Sequence, residues 1–170
     1  MSTEQKNISV SVQMTTGDMF DFLYWHSYHG VMGIVNYGFS LAALVALLCG
    51  FGEGNLMATV ALLVLAALFT VINPLLLLQK ADKQVKNTPM FQKPLQYTFD
   101  EKGFTVTQET ESASAAWTDV LQIRETKKTM VLYLGAANAT VLPKKACDGN
   151  LEEIKKYIRN AAPEAAKKLK

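Results

Sequence analysis

Two histidines and two cysteines are all the imidazole and thiol groups in this 170-residue sequence, and their placement excludes most metal chemistry. Cys49 lies in an apolar run and Cys147 near the end, so they form neither a ligand spacing nor a disulfide framework. They read as thiols of a reducing compartment. His26 and His29 stand three apart with only Asp21 as a distant third donor, too few groups to hold an ion, and no metal is expected. Basic excess is equally scarce. With 17 Lys and Arg against 15 Asp and Glu the net charge is +2, which excludes the clustered positive surface that a nucleic-acid partner requires. No Gly-rich loop followed by Lys-Ser or Lys-Thr is present to cradle phosphate, Ser112 and Ser114 have no basic neighbour, and no carboxylates are spaced to share a proton. No catalytic residue and no cofactor is therefore expected, and the reading is of a protein that is not an enzyme.

Charge itself is missing from two long stretches. From Phe22 to Gly52 and from Asn55 to Gln79 there is no Asp, Glu, Lys or Arg. Gly30 to Phe51 and Asn55 to Gln79 are each long enough, at about 1.5 Å per residue, to cross a hydrocarbon core of about 30 Å. Only Gly52-Glu53-Gly54 separates them, so the expectation is a two-helix transmembrane hairpin. A cleaved signal is excluded because the apolar run begins after a mixed segment containing Asp18 and Asp21. Lys80, Lys83, Lys86 and Lys93 follow the second run, Lys6 precedes the first, and the turn has no base. The positive-inside rule then puts both termini of a multi-pass protein in the cytoplasm, at the cell membrane. Asn36 and Asn73 sit at similar depth and are expected to make an interhelical polar contact. Pro74 should bend the second helix, and Ala42, Ala46 and Gly50 offer a small-residue face for close packing.

Before the first run, Ile8, Val10, Val12 and Met14 alternate with polar residues as in a half-buried strand. A lone strand is unstable in water, so it is expected to join the carboxy-terminal sheet. Thr15 or Thr16 can cap the helix that follows. Tyr24, Trp25 and Tyr28 on that helix are expected to be interfacial anchors at the boundary of water and lipid.

From Leu95 onward the sequence alternates in short runs. Strands are predicted at Gln96 to Asp100, Phe104 to Glu109, Ser112 to Trp117, Val120 to Glu125, Met130 to Leu134 and Thr140 to Leu142, as one meander. Gly103 is expected to supply a positive backbone angle in the first turn. Trp117 reads as core. After Asp148 or Asn150 as a cap, Leu151, Ile154 and Ile158 share one face of a final helix. By analogy, the expected fold is a membrane α-helical hairpin plus an α+β domain, an antiparallel pleckstrin-homology-like sheet capped by a C-terminal helix. The expected divisions are 1–29 for the strand and aromatic helix, 30–79 for the hairpin, 80–94 for a linker, and 95–170 for the cytoplasmic domain.

The amino-terminal strand and aromatic helix, the two close apolar runs, and then Tyr97-Thr98-Phe99-Asp100-Glu101-Lys102-Gly103-Phe104, Trp117-Thr118-Asp119-Val120 and Val141-Leu142-Pro143-Lys144-Lys145 resemble the YcxB-like bacterial membrane proteins. The resemblance implies a two-span anchor bearing a pleckstrin-homology-like cytoplasmic domain, and it carries no catalytic residues. An aromatic expected soon after the Pro-Lys pair is absent, with Cys147 nearby instead.

Lys127, Lys128, Lys144 and Lys145 come from turns or strand ends, and a lipid-headgroup contact through these four is the sharpest binding hypothesis that the domain offers. The leading function is a membrane-anchored, non-catalytic interaction or regulatory module. The alternative is an accessory subunit of a transporter or other membrane complex, acting through its helical hairpin. Expected partners are membrane lipid, an unknown protein and a possible homo-oligomer, with no nucleic acid.

Overall fold

In the computed structural model, residues 7–135, 138–147 and 149–169 are described. They form two compact units: one joins Met1–Phe22 to Gln84–Lys170, and the other is Leu23–Lys83. The proposed cap Asp148 and the basic residue Lys6 lie outside the described residues.

The first unit is α+β. Strand β1 (Ile8–Val12) buries Ile8, Val10 and Val12 and exposes Ser9 and Ser11. It pairs antiparallel with β2 (Leu95–Phe99), and β3 (Gly103–Gln108) and β4 (Glu111–Ala116) complete a four-stranded sheet in the order β1-β2-β3-β4. The amino-terminal strand is thus an edge of the carboxy-terminal sheet, the one place where its backbone groups find a ladder. A second, three-stranded antiparallel sheet follows in the order β5 (Gln122–Glu125), β6 (Thr129–Tyr133) and β7 (Ala139–Pro143). The expected single meander is therefore two sheets. Its break is the 3₁₀ turn Trp117–Asp119, where Asp119 Oδ2 accepts the Ala116 amide at 3.2 Å and the chain leaves β4 before β5 begins.

Both sheets and helix α6 (Leu151–Ala161) bury one core. Phe99, Trp117, Ile123, Leu132, Leu142 and Ile158 lie at its centre. Trp117 stacks on Phe99 with ring centroids 6.3 Å apart and donates its indole N–H to the Asp100 carbonyl at 2.8 Å. Its burial removes a large apolar area from water without stranding the polar tip. Gly103 does not owe its identity to a positive backbone angle, as expected from the turn. It lies in the strand proper, where a Cβ would meet the Ala115 carbonyl oxygen at 2.1 Å, so close approach of β4 is what demands glycine.

The second unit is helical. Helix α1 (Thr16–Tyr28) begins in the first unit and ends in this one. After Gly30 comes α2 (Val31–Leu48), then the turn Gly52-Glu53-Gly54 and α3 (Leu56–Ala67), capped by Asn55 accepting the Ala58 amide at 3.1 Å. Gly52 is held at φ 95°, and its carbonyl accepts the Thr59 hydroxyl at 2.8 Å. Helices α2 and α3 pack together, with Ser40 and Ala43 on the buried face of α2. Of the small residues Ala42, Ala46 and Gly50, expected to serve the hairpin or a homodimer, Ala46 and Gly50 are half-buried and Ala42 is exposed.

Beyond α3 a π-helical segment, Leu68–Ile72, leads into α4 (Asn73–Asn87). The run Leu56–Asn87 is 32 residues long, is apolar enough to cross a membrane, and has only 6% of its most apolar stretch buried. The charge-free stretch Phe22–Gly52 is divided near Gly30, where helices Thr16–Tyr28 and Gly33–Leu48 meet at 78°, and α2 is unbroken beyond that point. The segment expected as a linker, 80–94, is mostly helix. Lys80 to Asn87 contains neither Gly nor Pro, so α4 continues past the last apolar turn, and α5 (Pro89–Gln92) follows.

Candidate functional site

The carboxylates of α1 and the lysines of the three-stranded sheet converge in the first unit. Thr15 and Asp18 cap the helix reciprocally: the Thr15 amide donates to Asp18 Oδ2 at 3.2 Å and the Asp18 amide to Thr15 Oγ1 at 3.3 Å. One turn on, Asp21 Oδ2 accepts the hydroxyls of Thr126 and of Thr129, the latter at 2.9 Å. The turn between β5 and β6 is thereby tied to the start of α1, and it presents Lys127 and Lys128 to solvent.

The other two lysines face different surroundings. Lys144 Nζ lies 2.7 Å from Glu125 Oε1 and donates to the Thr126 carbonyl at 2.5 Å. Lys145 Nζ lies 3.2 Å from Asp18 Oδ2. Glu125, with a side chain only 7% exposed, also meets Lys155 Nζ at 3.1 Å, and Lys155 in turn meets Glu152 at 3.0 Å. The four-lysine rim expected from the sequence is therefore reduced, and Lys144 leaves it. Its ammonium is drawn inward because Glu125 would otherwise share the interior with Lys155 alone.

Such a cluster is stable only because each charge has more than one partner, since desolvating an ion costs several kcal/mol. Burial by itself pulls the Lys155 pKa down, but the hydrogen bonds and charges of Glu152 and Glu125 outweigh it and the net shift is upward. Chemically the cluster is a clamp, joining α1, the β5–β6 turn, the end of β7 and α6. Cys147, on the 3₁₀ turn Lys144–Cys147, is buried; burial pushes its thiol up to about 11, and its sulfur lies 3.7 Å from the Pro143 carbonyl oxygen. It is a protonated core group, not a nucleophile. Burial likewise pushes the Tyr97 phenol up to about 12, with Cys147 a smaller cause.

A second set of polar groups lies in the helical unit, at the π segment. Tyr28 is buried; its hydroxyl donates to the Phe69 carbonyl at 2.6 Å and accepts from Asn73 Nδ2 at 3.0 Å. Ser40 donates to the Leu65 carbonyl at 3.2 Å and accepts the Phe69 amide at 3.4 Å. Widening to a π turn frees backbone groups next to Pro74, and these side chains satisfy them. Asn73 thus pairs with Tyr28 and not, as expected, with Asn36, which is only half buried on α2. Of the expected anchors, Tyr28 is an internal hydrogen-bonding residue. Tyr24 stacks on it at 4.6 Å and shares a 2.8 Å hydrogen bond with Tyr37, while Trp25 stacks on His29 at 4.7 Å. Ser40 was not singled out from the sequence. A lone hydroxyl facing the stretch that precedes Pro74 was the available signal.

Fold and site together define an α+β protein with two antiparallel sheets and a closing C-terminal helix, joined to a helical unit containing a helix long and apolar enough to cross a membrane. Residues 99–158, from the end of β2 into α6, match the family model for YcxB-like protein, so over that segment the chain is similar to the YcxB-like family. The residues that carried the resemblance there are structural. Asp100 Oδ1 accepts the amides of Lys102 and Gly103 at 2.7 and 2.8 Å, Trp117 fills the core, and Asp119 holds the end of β4. No curated protein and no solved structure matches the chain.

Proposed function

We propose that this protein is a multi-pass membrane protein in which α2 and α3 form a two-span hairpin, both termini are cytoplasmic, and the α+β unit is a non-catalytic interaction or regulatory module. The observation that carries the reading is the outward display of large apolar side chains on both helices. Ile34, Leu48, Leu56 and Met57 are between 76% and 83% exposed, a surface that is stable in lipid and not in water. Lys80, Lys83 and Lys86 on α4 support the inward orientation. A four-stranded sheet, a three-stranded sheet and a closing helix support a pleckstrin-homology-like fold for the module. Contact with anionic headgroups is proposed for Lys127, Lys128 and the exposed Lys145. Labelling intact cells with a membrane-impermeant maleimide, in a Cys49→Ala background, tests the topology. Glu53→Cys should react from outside and Glu164→Cys only after lysis; the reverse pattern overturns it.

The alternative is favoured by one feature. The π segment with Tyr28, Ser40 and Asn73 is the kind of helix irregularity that serves function in many helices, and it fits an accessory subunit of a transporter or other complex that acts through the hairpin. Replacing residues 31–79 by an unrelated two-span anchor separates the readings. Retained recovery of protein partners supports the module, and loss supports the hairpin.

A further inference from the structure

The strand β4 is an edge that carries charge only at its first residue, Glu111. Two other edge strands have neighbours: the 3₁₀ turn Lys144–Cys147 packs beside β1, and the 3₁₀ turn Ala165–Lys168 packs beside β5. On β4, residues Glu111 to Ser114 are exposed, and Ser112 to Ala116 contains no charge, no Pro and no large side chain. Lysine, proline and bulges are the devices that keep such edges from pairing.

Which backbone groups are free follows from register. Gln108 pairs with Glu111 across a two-residue turn, and the Trp117 amide donates to the Lys102 carbonyl at 3.0 Å. Hydrogen-bonded pairs alternate along an antiparallel ladder, so Glu111, Ala113 and Ala115 bond to β3 while Ser112 and Ser114 turn both N–H and C=O outward. Asp119 occupies the next outward amide, that of Ala116, which limits the free edge to those two serines and the turn before them.

We propose that β4 pairs antiparallel with β4 of a second copy about a two-fold axis at Ala113, joining two four-stranded sheets into one of eight strands. Ser112 then exchanges two backbone hydrogen bonds with the partner's Ser114, and Ser114 two with the partner's Ser112. This register uses both outward serines and sets each Glu111 carboxylate opposite a small neutral Ala115. The side chains also match. Rows of hydroxyl and amide groups already cross the outer face, Ser9–Thr98–Thr105–Ser114 and Ser11–Gln96–Thr107–Ser112. Within them Ser9 and Thr98 hydrogen-bond at 3.2 Å, Thr105 and Ser114 at 2.9 Å, and Gln96 and Ser11 at 3.0 Å. The two-fold places Ser112 and Ser114 hydroxyls side by side and continues both rows across the interface. Because Ala113 would face its own copy in a non-hydrogen-bonded pair, with Cα atoms about 4.5 Å apart, that position suits a disulfide.

The test uses the full chain in mild detergent. In a Cys49→Ala background, Ala113→Cys should form a covalent dimer under mild oxidation, and the wild type should be a dimer by mass photometry. Ser114→Pro removes an outward amide without touching the β3 ladder, and should raise the dimer dissociation constant at least tenfold. Should that variant not fold, Ala113→Lys opposes two ammonium groups across the axis and should have the same effect. A monomeric wild type, or a dimer that survives the edge variant that folds, overturns the proposal; the latter would place the contact in the hairpin.

Discussion

Glu125→Gln is the substitution that most directly tests whether the ion cluster holds the α+β unit together. The amide keeps the shape of the side chain and removes the one negative charge shared by Lys144 at 2.7 Å and Lys155 at 3.1 Å. Breaking a buried pair from one side costs about 3 to 5 kcal/mol, because the remaining charge stays desolvated. Lys144 keeps the Thr126 carbonyl and Lys155 keeps Glu152, so the low end, about 3 kcal/mol, is expected. Lys155→Met should cost less, about 1 kcal/mol, since Glu125 retains Lys144 and the methionine fills the same volume. In the double variant the two losses should not add, leaving a coupling of about 1 to 2 kcal/mol. The assay is urea unfolding of the full chain in detergent, followed by Trp117 emission in a Trp25→Phe background. With a slope of about 1.5 kcal/mol per molar, 3 kcal/mol lowers the midpoint by about 2 M. A shift under about 0.5 M at unchanged slope would refute the reasoning, because it would mean that water already solvates the cluster.

Three other outcomes are expected. Gly103→Ala should destabilise by about 2 to 3 kcal/mol in the same titration, since its Cβ would meet the Ala115 carbonyl at 2.1 Å; Gly-to-Ala in an open strand stabilises instead, so the sign alone decides. Cys147 ionises near 8.5 in an unfolded chain and near 11 when folded, so the stability it confers is complete below pH 8.5 and is lost as pH rises towards 11, by up to about 3 kcal/mol. Cys147→Ala should flatten the pH dependence between 8.5 and 10, below the range in which Tyr97 begins to contribute, and an unchanged slope there would exclude the thiol as its source. Tyr28→Phe should weaken the helical unit by about 1 kcal/mol in an SDS unfolding titration, whereas Asn36→Ala should leave it unchanged; equal effects would restore Asn36 to the interhelical contact.

Some of the site was readable in advance, and some was not, for separable reasons. Lys127 and Lys128 are exposed because a short turn between two strands has nowhere else to put them. Lys144 looks the same in sequence, and only the approach of Glu125 from β5 and Lys155 from α6 turns it inward. Asn73 reads as a polar group that needs a partner, but Tyr28, whose ring suits the lipid boundary, is the group that reaches it. Gly103 was marked as special for the wrong reason: a turn glycine and a close-packed strand glycine are identical until the neighbouring strand is placed.

By itself the sequence determined what is local or compositional. Those features are the charge-free runs, the turn of two glycines between them, the alternation that makes β1 and the strands after Leu95, and the stripe that makes α6. Each depends on solvent preference or on the geometry of a few adjacent residues. Only the tertiary structure decided the division into two sheets, the ion cluster spanning 137 residues from Asp18 to Lys155, the π segment with Tyr28 and Ser40 bonded to its backbone, and which edge of the sheet stays open. Those depend on groups distant in the chain meeting in space, where desolvation makes each charge and hydroxyl take whichever partner the packing brings within reach.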